Sequence, residues 1–164
     1  MKILAIDPGT YKSAVLLYDT ERAKILECLI LANNDVAAYL KWSENPADRL
    51  AIEWVSSYGM AVGKEVFETC YWVGVFAEKF GRFRTDRIPR KDIKLHLCNS
   101  SRAKDKNVRQ ALMDRFEPTG RDGKGVPSVR GTKAHPGPLY GVGTHLWSAL
   151  AVAVTWADTH NTHS

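Results

Sequence analysis

Apolar residues follow two periods along this chain, one extended and one helical. Ile3, Leu4, Ala5 and Ile6 form a continuous apolar run that ends on Asp7. Pro8 and Gly9 then break the chain, and Ser13 to Tyr18 resumes an extended, β-branched and aromatic pattern. That sequence predicts two buried strands joined by a tight turn. Ala23–Leu31 (AKILECLIL) predicts a third strand, Arg49–Glu53 (RLAIE) a fourth that again ends on a carboxylate, and Phe83–Ile88 a fifth. The helical period predicts a short helix over Val36–Trp42, with Asn33, Asn34 and Asp35 as candidate N-caps. A longer amphipathic helix is predicted over Lys64–Phe80, closed by Gly81, with Val66, Phe67, Cys70, Tyr71, Val73, Gly74 and Ala77 inward. Glycine in mid-helix lowers stability, so Gly74 predicts a close helix packing there. RKDIKLHL, after the fifth strand, is assigned to no element. Lys104–Phe116 predicts a helix with Val108, Ala111, Leu112 and Phe116 inward. Thr144 is read as the N-cap of a last helix from His145 to about Asp158, apolar enough that it must lie against the sheet.

Strands first, then strands alternating with helices, predict an α/β domain with a central mixed five-stranded sheet flanked by helices. The antiparallel opening hairpin argues against a purely parallel sheet. At 164 residues the chain fits a single domain, 1–164. Residues 117–143, rich in Gly and Pro with Arg121, Lys124, Arg130 and Lys133 interspersed, read as a flexible basic loop.

Charge changes the picture by its distribution. The net charge is +5, yet Arg82–Lys133 holds fifteen Lys or Arg against six Asp or Glu. A basic stripe in one third of a folded chain is the electrostatic footprint of a nucleic-acid binder, although a merely cationic surface gives the same count. Cys28, Cys70 and Cys98 are odd in number and far apart, which excludes a CxxC zinc knuckle and a disulfide framework. With no secretory pattern at the N-terminus and no apolar run of about 18 residues, a soluble, cytoplasmic protein with no membrane partner is expected.

Asp7, Glu53 and His145 stand at predicted element ends. If the first and fourth strands are neighbours, about 4.8 Å apart, their terminal carboxylates face one another, and a divalent cation relieves the repulsion. His145 and Ser148, three residues apart, share a helical face that can be brought alongside. Each residue also has a plainer reading. Asp7 before Pro-Gly is common turn chemistry. Glu53 can pair with a surface cation, and His145 can be a solvated residue of a first helical turn.

IDPGT at Ile6–Thr10, AIE at Ala51–Glu53 and SALAVAV at Ser148–Val154 resemble the RuvC family of Holliday-junction resolvases, most closely the RuvC-like resolvases of bacteriophages and prophages. PRKDIK and AKDKNVRQAL within Pro89–Leu112 fall in the family's order and spacing, so the resemblance spans essentially the whole chain. It implies a ribonuclease-H-like fold, a homodimer, and a metal-dependent endonuclease that makes paired nicks in four-way DNA, with roles in recombination and repair. It implies two Mg²⁺ or Mn²⁺ ions per active site, with Asp7 bridging both, Glu53 as the second-strand acid and His145 as the first ligand of the last helix. The family's fourth ligand is an Asp where this chain has Ser148, a poor and uncharged ligand for a hard dication. Asp158, thirteen helical residues on and roughly 20 Å away, cannot replace it. The lost charge implies either weaker metal binding or a demand for Mn²⁺, and His145, a softer ligand than Asp, fits Mn²⁺ better than Mg²⁺. Lys94 matches a lysine beside the scissile phosphate, and Lys104 or Lys106 a second. Arg102 and Arg109 join them as expected DNA contacts. The family wedges the junction with an aromatic after the second acid; Ser56 stands at that spacing here, and Tyr58 shortly after is the candidate. No branch-migration helicase partner is inferable.

Two other readings stay open. Loss of the fourth acid is compatible with a branched-DNA-binding protein that cuts weakly or not at all. A ribonuclease H acting on RNA–DNA hybrids shares the fold and metal chemistry. An ATPase of the actin or sugar-kinase type would need more than twice this length.

Overall fold

The computed structural model describes residues 1–42, 45–57, 59–117 and 128–160. Five strands form one mixed sheet: β1 (Lys2–Asp7), β2 (Lys12–Asp19), β3 (Lys24–Ala32), β4 (Arg49–Trp54) and β5 (Thr85–Pro89). Their order is β3-β2-β1-β4-β5. The β1–β2–β3 meander is antiparallel, whereas β1, β4 and β5 run parallel. The mixed α/β sheet expected from the hydrophobic pattern is therefore present.

The period of two along each strand sorts its residues onto opposite faces. Ile3, Ala5, Leu16, Tyr18 and Ala51 pack under the last helix, α5 (Leu146–His160). Leu4, Ile6, Val15, Leu17, Leu50 and Ile52 pack under α1 (Asn33–Lys41) and α2 (Lys64–Phe80). Almost all of α5 from Leu146 to Ala157 is buried, which accounts for its apolar composition; Ala149, Ala151 and Ala153 are small enough to let it lie close on the sheet.

Several expectations are corrected. RKDIKLHL is a helix, α3 (Arg90–Cys98), and only Ile93 on it is buried, so no apolar stripe marks it in sequence. α4 (Asp105–Arg115) follows. The segment 83–84 belongs to a 3₁₀ turn, Arg82–Arg84, and β5 starts at Thr85. On α2 the inward residues are Thr69, Val73, Phe76 and Phe80, while Phe67 and Tyr71 are 65% and 63% exposed. Apolar residues lie on both sides of α2, and the expected face was rotated from the true one. Gly74 is exposed and a Cβ there would meet only open space, so close packing is not its reason. Thr144 has φ +37°, outside the extended region an N-cap adopts, and α5 begins at Leu146 with His145 just ahead of it. Of the expected loop, residues 118–127, including Arg121 and Lys124, lie outside the described residues. The remainder is anchored: Gly131 and Pro136 form a bridge, and Leu139 and Val142 are buried in the core. Among the described residues, no helix is long and apolar enough to cross a membrane.

Candidate functional site

The parallel register of β1 and β4 pairs Ile6 with Ile52, so Asp7 and Glu53 come next on adjacent strands. Both share the α5-facing side of the sheet with Ala5 and Ala51, by alternation. The sequence-derived juxtaposition of these two carboxylates is the geometry found. His145, in the approach to α5, sets Nδ1 3.4 Å from an Asp7 carboxylate oxygen while keeping 76% of its side chain exposed. The Asp7 side chain is only 16% exposed. Burial, and then the charge of Glu53, push its carboxyl up to about 7, against the pull of His145 and Arg90.

The turn that presents Asp7 is fixed by a residue that the sequence marked only as a helix cap. Asn33 is buried and donates from Nδ2 to the carbonyls of Gly9 (2.9 Å) and Thr10 (3.1 Å). Its Oδ1 accepts from the Ser13 hydroxyl (2.7 Å), and its backbone N–H donates to the Tyr11 carbonyl (3.0 Å). The Ser13 hydroxyl in turn accepts from Gly9 N–H at 3.2 Å. Ala32, not an Asx side chain, occupies the N-cap position of α1.

Glu53 is engaged by a partner the sequence reading missed. Arg90, the first residue of α3, donates from Nη1 to both Glu53 oxygens at 2.8 Å, and from Nη2 to Asp105 at 2.6 Å. Lys94 adds a 3.8 Å contact to Asp105. Burial raises the Glu53 carboxyl despite Arg90, while the Arg90 hydrogen bond holds the exposed Asp105 below its ordinary value. Position could have exposed Arg90: β5 runs parallel to β4, so the residue after its end emerges on the edge that carries Glu53.

Beside these acids a cleft of about 430 Å³ opens between α3, α4 and the start of α5. Lys94, Lys106 and Arg109 line it, together with His145 and Ser148. The Arg109 guanidinium stacks over Trp147, 4.8 Å from the ring centre. The structure thus brings together Asp7, Glu53, His145, Ser148, Lys94, Lys106 and Arg109. Lys104 is the exposed residue preceding α4, and Arg102 is exposed on the turn before it; neither lines the cleft. Tyr58 lies outside the described residues. Asp158 is indeed committed elsewhere, accepting from Arg115 and bonded to His96 at the far end of α5.

No family model and no curated protein matches the chain. Among solved structures, it is similar to Thermus thermophilus RuvC, with 16% identity, a TM-score of 0.65 and coverage of 94% of this chain and 92% of that one. It is also similar to T. thermophilus RuvC in complex with Holliday junction substrate, with 14% identity, a TM-score of 0.63 and coverage of 99% and 96%. The sheet and its flanking helices therefore have the ribonuclease-H-like fold.

Proposed function

We propose that the protein is a divalent-cation-dependent endonuclease that nicks branched, four-way DNA, akin to the RuvC-like resolvases of phages and prophages. The observation that carries this reading is the placement of Asp7 and Glu53 at the C-terminal ends of the neighbouring strands β1 and β4, with His145 against Asp7 and also lining a cleft with Lys94, Lys106 and Arg109. Binding alone gives no reason for a buried and a partly buried acid beside a surface that meets phosphates.

The donor set fits a hard cation. Asp7 is a partly buried carboxylate pushed up by its desolvation and then by the charge of Glu53, a setting in which a bound cation would be stabilising. With the imidazole of His145 at 3.4 Å, an oxygen and a nitrogen donor stand together, a set suited to Mn²⁺ and also open to Mg²⁺. Such a cation supplies Lewis-acid polarisation of the phosphodiester and activation of water. Lys94 and Lys106 would neutralise charge developing on the phosphate, and Arg109, braced on Trp147, would hold backbone phosphates in register. Arg102 and Lys104 extend the basic surface outward.

Two symmetric cuts require two sites, which a twofold dimer supplies. The exposed Phe67 and Tyr71 on α2 and Trp42 beyond α1 offer apolar surface for it, whereas Trp54 and Trp72 are half-buried against the core.

A second reading, a branched-DNA-binding protein with weak or no cleavage, is favoured by one observation: Glu53 is already paired with Arg90 while Ser148 contributes no charge. The deciding experiment offers a labelled four-way junction, a linear duplex and an RNA–DNA hybrid, in Mg²⁺ and in Mn²⁺, with Asp7→Asn as control. Paired nicks in the junction that vanish in the variant support the resolvase. Tight junction binding without cutting in either metal establishes the second reading, and cutting of the hybrid alone makes the protein a ribonuclease H.

A further inference from the structure

The ribonuclease-H-like architecture and the sequence resemblance both lead to an expectation of two divalent ions, but the side chains around Glu53 do not leave room in the charge balance for both. We propose that Arg90 is a built-in cation standing in for one of them, so that the centre takes a single divalent ion on Asp7 and His145. This rests on the metal-dependent nuclease reading and specifies which groups carry its positive charge.

Three observations carry it. Arg90 is bonded to both oxygens of Glu53 at 2.8 Å, the same oxygens that a second ion would need. Glu53 is 7% exposed, so the guanidinium is not a loose surface partner, and removing it would leave a buried carboxylate uncompensated. Arg90 is also held from behind, by Asp105 at 2.6 Å, which fixes it at the first turn of α3 and against the cleft.

The charge balance agrees. Ser148, which lines the cleft from α5, brings a hydroxyl and no charge to help hold a second ion. With Asp7, Glu53 and Asp105 as the carboxylates, the Arg90 guanidinium, Lys94 and one dication leave a single positive charge, which one phosphodiester cancels. A second dication would leave the site strongly positive before any substrate arrived, in a partly buried environment that penalises uncompensated charge. Arg90 thus gives Glu53 a fixed monovalent charge that no chelator removes.

The test is titration of the intact protein with Mn²⁺ alone, followed by calorimetry for stoichiometry and by electron paramagnetic resonance for coupling between ions. The wild type is expected to bind one ion per chain with the spectrum of an isolated ion. Arg90→Gln is expected to take a second ion at least about tenfold more tightly than the wild type, with spin–spin broadening. Circular dichroism melting checks that this variant folds. Asp105→Asn, which changes only an exposed outer anchor, serves if it does not, and is expected to admit a weaker second ion. Two coupled ions in the wild type would overturn the proposal and leave the nuclease reading intact, since Arg90 would then be a counter-ion that metal displaces. A folded Arg90→Gln that still binds one ion would also overturn it. No Mn²⁺ binding by any of the three proteins, with no junction cleavage, would defeat both.

Discussion

The two ends of α5 meet carboxylates in opposite circumstances. At its start, Asp7 is partly buried and faces a second acid, and His145 at 3.4 Å and the charge of Arg90 relieve it too little, so its carboxyl is pushed up to about 7. At its far end, Asp158 is also partly buried, which pushes its carboxyl up. There, hydrogen bonds from Arg115 at 2.5 and 2.7 Å and a bond to His96 at 2.7 Å outweigh burial and hold it below the ordinary range. Both acids sit against the same helix, and their neighbours decide the outcome. The far end ties α3, α4 and α5 together and is electrostatically satisfied. The near end is left short of positive charge, which is destabilising for the fold and useful for holding a cation.

The strongest way to break this comparison is Asp7→Asn. Cleavage of a four-way junction is expected to fall by more than about 100-fold, the scale of electrostatic contributions at a reaction centre. The same change is expected to raise metal-free stability by about 1 kcal/mol at neutral pH, because it removes a buried charge facing Glu53. Urea denaturation without metal checks the sign, and a loss of stability would mean that Asp7 is as satisfied as Asp158.

Asn33→Ala tests whether the near end stays strained because it is held rigidly. It leaves the Gly9 and Thr10 carbonyls and the Ser13 hydroxyl without their partner, and is expected to cost about 3 kcal/mol. Junction cleavage measured well below the melting point is expected to fall as well, because Asp7 loses its mount.

Asp158→Asn probes the satisfied end, where a cost of about 1 kcal/mol at neutral pH is expected after allowing for solvent screening. Because the folded carboxyl lies below its ordinary value, its contribution is fully present above about pH 4 and is lost as pH falls through the folded value. The wild type should therefore lose stability on acidification into that range more steeply than the variant, which denaturation midpoints across pH would show.

Gly74→Ala lies remote from both ends and calibrates them. Its Cβ meets open space on an exposed helix face, so about 0.5–1 kcal/mol of stabilisation is expected, with cleavage unchanged. A drop in cleavage would place this face of α2 in a functional contact.

What could be read in the sequence follows the range of the interactions. The strands β1, β2 and β4 and the helix α5 announce themselves as continuous apolar runs because they are buried on both sides, and α2 and α4 by apolar residues at helical spacing. Asp7 and Glu53 could be paired from the rule that adjacent strand ends carry chemistry together. α3 could not be seen, because a helix with Ile93 as its one buried residue leaves no apolar stripe. Arg90 was invisible for a different reason: its bond to Glu53 spans 37 residues and depends on β5 lying beside β4. Asn33 was misread because Asn before a helix is ordinarily a cap; only the fold shows its amide turned back on the β1–β2 turn.

The placement of β4 beside β1 has a kinetic consequence. The β1–β2–β3 meander closes through short turns, whereas the β1–β4 pairing joins Ile6 to Ile52 across the whole meander and α1. Loop-closure entropy delays such a contact, so the meander should form ahead of β4 docking. Asp7 is then mounted early and Glu53 arrives late, with Arg90 later still because β5 must first find β4. In stopped-flow refolding, Leu16→Ala is expected to slow folding, whereas Ile52→Ala should chiefly speed unfolding. A chain caught partway would carry the hairpin without its second acid, so the proposed phosphodiester cutting would be withheld until the last long-range pairing had formed.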